Sequence, residues 1–185
     1  MPLDDPIPDA TRGAPLRQLA RTVTPTGRAR PFTRDELIVS KTDAKGVITY
    51  ANDVFLRVAE ISEHEALSAP HSLIRHPDMP RCMFKLLWDR IAAKQKIFAY
   101  VLNLSRSGDH YWVFAHVTPS LDGRGAITGY HSNRRAPSER ATLAAADLYR
   151  ALKAEEDGTS DKSAGMALGM AMLNAVLAER GISYD

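Results

Sequence analysis

The chain has 185 residues, 44% hydrophobic and 25% charged, with a net charge of +2. This is the composition of one ordinary globular domain with appendages, and it lacks the basic stripe of a dedicated nucleic-acid binder. A single cysteine, Cys82, excludes an intramolecular disulfide and a multi-cysteine zinc site.

No apolar run reaches the ~20 residues that a membrane helix needs. The N-terminus has no secretion-signal pattern. The expectation is a cytoplasmic protein without membrane insertion. Residues 1–31 are rich in Pro, Thr and Arg and read as a flexible or partly helical N-terminal extension. Within them "LRQLARTV" has the spacing of a short helix with Leu16, Leu19 and Ala20 inward.

A domain is expected over residues 32–137, with order from Glu36. "ELIVSKTDAKGVITYAND" reads as strands over residues 37–42 and 47–51, joined by an Asp-x-x-Gly turn. "DVFLRVAEI" puts Val54, Phe55 and Val58 on one helical face, with Asn52 or Asp53 as N-cap. "SEHEAL" is a second short helix, because Ser62 and Glu65 have capping-box spacing. "LIRHPDMP" stays irregular around its prolines. "RCMFKLLWDRIAAKQ" is an amphipathic helix with Met83, Leu87 and Ile91 on one face and Phe84 and Trp88 beside it. Pro80 suits its first turn.

Three strands follow: "IFAYVLNLSR", "HYWVFAHVTPS" and "AITGYHSNRR". In the middle one Tyr111, Val113, Ala115 and Val117 face one side, and Trp112, Phe114 and His116 the other. Residues 138–185 form a helical C-terminal extension. Its first helix is capped by Ser138, and its second carries Met166, Met170, Leu173 and Leu177 in one stripe and stops at Gly181. The element order predicts an α+β fold: a five-stranded antiparallel sheet with short helices on one face and a ligand cavity between them.

The run from Leu73 to Pro80 carries candidate chemistry. Arg75 offers a fork of charged donors for an anion. His76 can donate to a phosphate or a ring edge, and Asp78 can accept from a hydroxyl or hold its neighbours. Phe84 and Trp88 are placed to wall a cavity. A plainer reading stands beside this one: Asn52 or Asp78 caps a helix, Arg75 pairs with Asp78, and Trp88 and Trp112 belong to the core. His71, His76 and Asp78 match no common zinc spacing, so no metal is expected. No nucleophile–base or carboxylate pair points to an enzyme.

"YANDVF", "IRHPDMP", "FKLLW" and "SGDHYWV" together resemble the PAS sensor domain of bacterial aerotaxis and energy-taxis receptors, over roughly residues 37–135. The resemblance implies a PAS fold that holds FAD non-covalently. It carries the flavin-associated positions onto Asn52, Arg75, His76, Asp78 and Phe84, with Trp88 and Trp112 as further candidate contacts. The family typically has a tryptophan after a Gly-x-Pro turn, where this sequence has Ile97 followed by Phe98. An aromatic stack is therefore lost or moved by one residue, which on a strand changes its face. The cysteine motif of light-sensing PAS domains is absent, so no photo-adduct is expected at Cys82.

The implied function is a redox or oxygen sensor that signals through protein–protein contacts, as a homodimer with a downstream partner. One alternative is a haem-binding gas sensor using His71, His76 or His116 as axial ligand. Another is a cofactor-free dimerisation module.

Overall fold

The computed structural model describes residues 23–181 and residue 184. The expected N-terminal helix with Leu16, Leu19 and Ala20 lies outside them. Strands β1 (Ile38–Asp43), β2 (Ile48–Ala51), β3 (Ile97–Leu104), β4 (His110–Leu121) and β5 (Ile127–Arg135) form one antiparallel sheet in the order β2-β1-β5-β4-β3. Between β2 and β3 run α1 (Asp53–Ala59), α2 (Glu63–Ala66), a 3-10 turn (His71–Ile74) and α3 (Arg81–Ala92).

Local chemistry fixes most of these boundaries. Asp43 Oδ1 accepts from Lys45 N and Val47 N, which turns β1 into β2. Asn52 Oδ1 accepts from Phe55 N at 3.1 Å and caps α1. Ser62 and Glu65 complete the expected capping box. β3 and β4 pair from Ile97↔Val117 to Leu104↔His110. Their inward side chains include Ile97, Ala99, Val101, Tyr111, Val113, Ala115 and Val117, all buried. They meet Phe55, Val58, Ile74, Met83 and Ile91 from the helical layer. The alternation expected for β4 is the one observed.

β5 pairs with β4 only as far as Phe114↔Arg135, so the first residues of β4 have a free edge. Residues 26–30 fill it. Thr26 N donates to Gly108 O, His110 N to Arg28 O, and Arg30 N to His110 O at 2.7 Å. This part of the expected flexible lead is thus tied to the sheet, because strand edges need partners.

Two helices follow β5: α4 (Glu139–Asp157) and α5 (Lys162–Glu179). α5 starts four residues before the expected Met166, since Asp161 caps it through Ser163 N and Ala164 N. Both pack on their own domain. Leu152 and Leu173 are buried in the common core, and Met166, Met170 and Leu177 lie against it. Tyr149 Oη donates to Tyr100 O on the edge strand β3 at 2.7 Å.

The fully buried Glu156 makes the tightest junction between this hairpin and α3. It accepts from Arg81 N at 2.8 Å and Cys82 N at 2.7 Å, at the N-terminus of α3. Pro80 is the N-cap residue there rather than a first-turn residue, and it gives no side-chain cap bond. Gly165 lets α5 come close, because a Cβ at that position would sit 2.2 Å from Glu156 O.

Candidate functional site: a cavity under helix α3

Between the inner sheet face, the β1–β2 turn, residues 70–75 and α3 lies a cavity of about 320 Å³. Its walls are largely apolar: Phe84, Leu87, Trp88 and Ile91 from α3, and Val101, Ala115 and Val117 from the sheet. Helix periodicity places the first set on one side, and strand parity the second. Trp88, 41% exposed, meets Tyr130 edge-on at 5.4 Å. A Cβ on Gly46 would lie only 3.1 Å from the Trp88 ring, so the β1–β2 turn closes against this indole.

One end of the lining is polar. Arg134 Nη2 donates to Ser40 Oγ at 2.9 Å and lies 2.6 Å from His71 Nε2. A guanidinium only donates, so His71 Nε2 must accept, and the neutral ring carries its proton on Nδ1. Burial, reinforced by the Arg134 charge, pushes the His71 pKa down to about 3. Burial also lowers Arg134 to about 10, which leaves it cationic at neutral pH. Three buried atoms in this lining have no hydrogen-bond partner: Asn103 Nδ2, Ser132 Oγ and Arg134 Nη1. Buried polar groups are nearly always paired, so these three call for a hydrogen-bond partner, a water or a ligand.

The candidate residues divide. Arg75, Phe84 and Trp88 line the cavity, and the Arg75 guanidinium lies 3.9 Å from the Phe84 ring centroid. Asn52, His76, Asp78 and Trp112 do not line it. Asn52 spends its side chain on Phe55 N, Val39 N and Leu37 O, so it is a cap and a strand tie. His76 is buried beside His110, its Nδ1 accepting from Asp78 N at 3.1 Å. Burial lowers its pKa. The Asp78 side chain is 75% exposed and lies 3.8 Å from His76. Trp112 packs on Tyr149 on the outer sheet face. At the position of the family tryptophan, Ile97 is buried inward, while Phe98 is 47% exposed on the outer face and stacked on His116 at 4.3 Å.

Sequence reasoning missed Ser40, Asn103, Ser132 and Arg134, and considered His71 only as a metal or haem ligand. The available signal was parity. Asn103 follows Val101 on the inward row of β3, and Ser132 and Arg134 follow Tyr130 on that of β5. A polar residue in an inward row is a candidate ligand contact.

A family model described as the PAS fold matches residues 48–133. The chain is 36% identical to the aerotaxis receptor of Escherichia coli K12 over 129 residues, covering 70% of this chain and 25% of that protein. It is 30% identical to the nitrogen fixation regulatory protein of Klebsiella pneumoniae over 146 residues, covering 77% of this chain and 28% of the other. The chain thus spans about a quarter of the length of these relatives. The light-state structure of the blue-light photoreceptor Aureochrome1 LOV superposes with TM-score 0.54 at 19% identity, covering 62% of this chain and 91% of that one. Its dark-state structure gives TM-score 0.52 at 20% identity, covering 80% and 96%.

Proposed function

Since residues 48–133 form a PAS domain, we propose that this chain is a sensor module holding FAD non-covalently in the cavity under α3 and reporting redox or oxygen status through protein–protein contacts. The observation that carries the reading is the set of unpartnered buried atoms Asn103 Nδ2, Ser132 Oγ and Arg134 Nη1, on residues that line the cavity together with apolar walls. A flavin ring is flat and apolar on its faces and rich in acceptors along one edge, so it suits that lining. The motif resemblance to aerotaxis-type PAS domains supports the same group.

About 320 Å³ is at the low end of small-molecule sites, which run to about 1,000 Å³. It is suited to the ring system rather than to the whole dinucleotide. Asn103, Ser132 and Arg134 would hold the polar edge, and Leu87, Ile91, Val101 and Val117 would face the ring. Lys45 and Arg75 are cations in the lining that can serve a diphosphate. When bound, the flavin supplies reversible electron uptake; the residues bind it, orient it and limit water.

The geometry gives haem little support. His71 is the only histidine in the described lining, and its Nε2 is occupied by Arg134 and Ser40. His116 lies on the outer sheet face.

The test is an absorption spectrum of the purified full chain, followed by mass identification of the released molecule. A flavin spectrum with stoichiometric FAD is expected. A colourless protein that takes up no added FAD refutes the reading. The signalling form in this proposal is a cytoplasmic homodimer. The α5 stripe packs against its own domain, so the surface proposed for a second copy is the outer sheet face with Phe98 and Phe114.

A further inference from the structure

Arg134 is a buried cation without an anion. It is 4% exposed, and no Asp or Glu among the described residues forms an ion pair with it. Its neighbours are the Phe55 ring, 5.7 Å from the guanidinium carbon, together with Ser40 and His71. Only neutral groups therefore receive its hydrogen bonds. A charge removed from water is costly unless it is paired. A guanidinium held in this way is waiting for an acceptor of opposite sign.

The geometry also shows which nitrogen is reserved. Nη2 is held by Ser40 Oγ and His71 Nε2, which orients the guanidinium. Nη1 is buried and unpartnered, on a residue that lines the cavity. The other unpartnered atoms in that lining are a second N–H donor, on Asn103, and the Ser132 hydroxyl. His71 contributes its lone pair to Arg134 and so acts as a positioning residue.

We propose that Arg134 sets the charge preference of this cavity, which selects a flat aromatic ring bearing an anionic edge, such as a carboxylate or a deprotonated imide, placed against Arg134 Nη1. For a flavin the matching edge is its imide side. The inference rests on the reading of this cavity as the ligand site, and it does not require the ligand to be FAD. It makes Arg134 a specificity determinant that no sequence motif marked.

Benzoate and benzamide have nearly the same shape and differ in charge, which makes them suitable probes. Calorimetric titration of the full chain, freed of bound small molecules, should show benzoate at least tenfold tighter than benzamide. Arg134→Lys should keep a preference for benzoate, and Arg134→Gln should cut it severalfold, to what Lys45 and Arg75 alone provide. Benzoate should also shift the methyl signals of Val101, Ala115 and Val117. Equal affinity for the two probes, no binding of either, or binding that leaves those methyls unmoved overturns the proposal. These outcomes come from the unmutated protein, so misfolding of a variant does not shelter the idea. Separate addition of FAD distinguishes the two claims. FAD uptake without benzoate preference removes the charge assignment and leaves the flavin reading. Benzoate preference without FAD uptake does the reverse.

Discussion

Arg75 and Asp78 stand three positions apart in one motif, yet only Arg75 lines the cavity. Arg75→Ala should weaken FAD retention by roughly ten- to a hundredfold, the effect of losing a charge-assisted hydrogen bond worth about 1.5–3 kcal/mol. Asp78→Ala should leave retention near that of the unmodified protein. Equilibrium dialysis of both variants checks this, and equal losses would return Asp78 to the site. His71 gives a prediction in pH. Its folded pKa of about 3 lies below the ordinary 6.5, so as pH falls the unfolded chain takes up this proton first. Its contribution to stability is therefore complete above about pH 6.5 and is lost as pH drops toward 3, at up to about 1.4 kcal/mol per pH unit. Carboxylates such as Glu65, held down to about 2 by Ser62 and Arg106, add acid sensitivity of the same sign. The difference between the unmodified chain and His71→Gln isolates the histidine. Urea midpoints from pH 7 to pH 4 should fall less steeply in the variant, and parallel curves would remove His71 from the account. The polar side chains themselves show why this chemistry was hidden. Asn103, Ser132 and Arg134 are ordinary surface residue types, and only a known strand parity turns them inward. The strand carrying Ser132 and Arg134 has no apolar alternation to announce that parity.

Helix α3 shows how elements were legible in part. Its start and apolar face could be read from Met83, Leu87 and Ile91, because that signal is periodic and local, but it ends at Ala92, three residues before the expected Gln95. The caps at Asn52, Ser62 and Ser138 were legible for the same reason, each being within three residues of its target. The cap of α3 was not, because Glu156 arrives from 75 residues downstream. Two charge-assisted hydrogen bonds at the ends of backbone N–H groups contribute about 3 kcal/mol or more. Glu156→Ala should lower Tm by roughly 6–12 °C in a protein of this size. Thermal unfolding followed by circular dichroism measures it, and an unchanged Tm would mean that solvent caps α3 equally well. In the variant, Trp88 fluorescence should also respond to loosening of the cavity wall.

For the whole molecule, the five-stranded sheet, the helical layer and the cavity between them followed from the sequence of element types, because alternation and capping are read over short windows; the strand order β2-β1-β5-β4-β3 came from the structure. The placement of the C-terminal hairpin did not follow. A Met-rich stripe marks a face that must be covered but does not name its cover. Here the cover is the same chain, through Leu152, Leu173 and the close approach at Gly165 and Gly169. That assignment leaves the outer sheet face, where Phe98 stacks with Phe114 and His116, as an exposed aromatic surface. Sedimentation of the full chain at tens of micromolar should report a dimer, and Phe98→Glu should shift it to monomer. A monomer before mutation, with flavin oxidised and reduced, would eliminate self-association as the relay.

The Glu156 junction also bears on how such a module can be cut and joined. The family match stops at residue 133, and a fusion made there looks natural in an alignment. It would carry away the carboxylate that seats the helix lining the cavity. A chimera joined after β5 therefore exchanges the C-terminal hairpin and, with it, the cap of a helix that walls the cavity. Grafts that retain the chain through the end of α5 keep both, so for this protein the heritable unit of exchange is larger than the unit of resemblance.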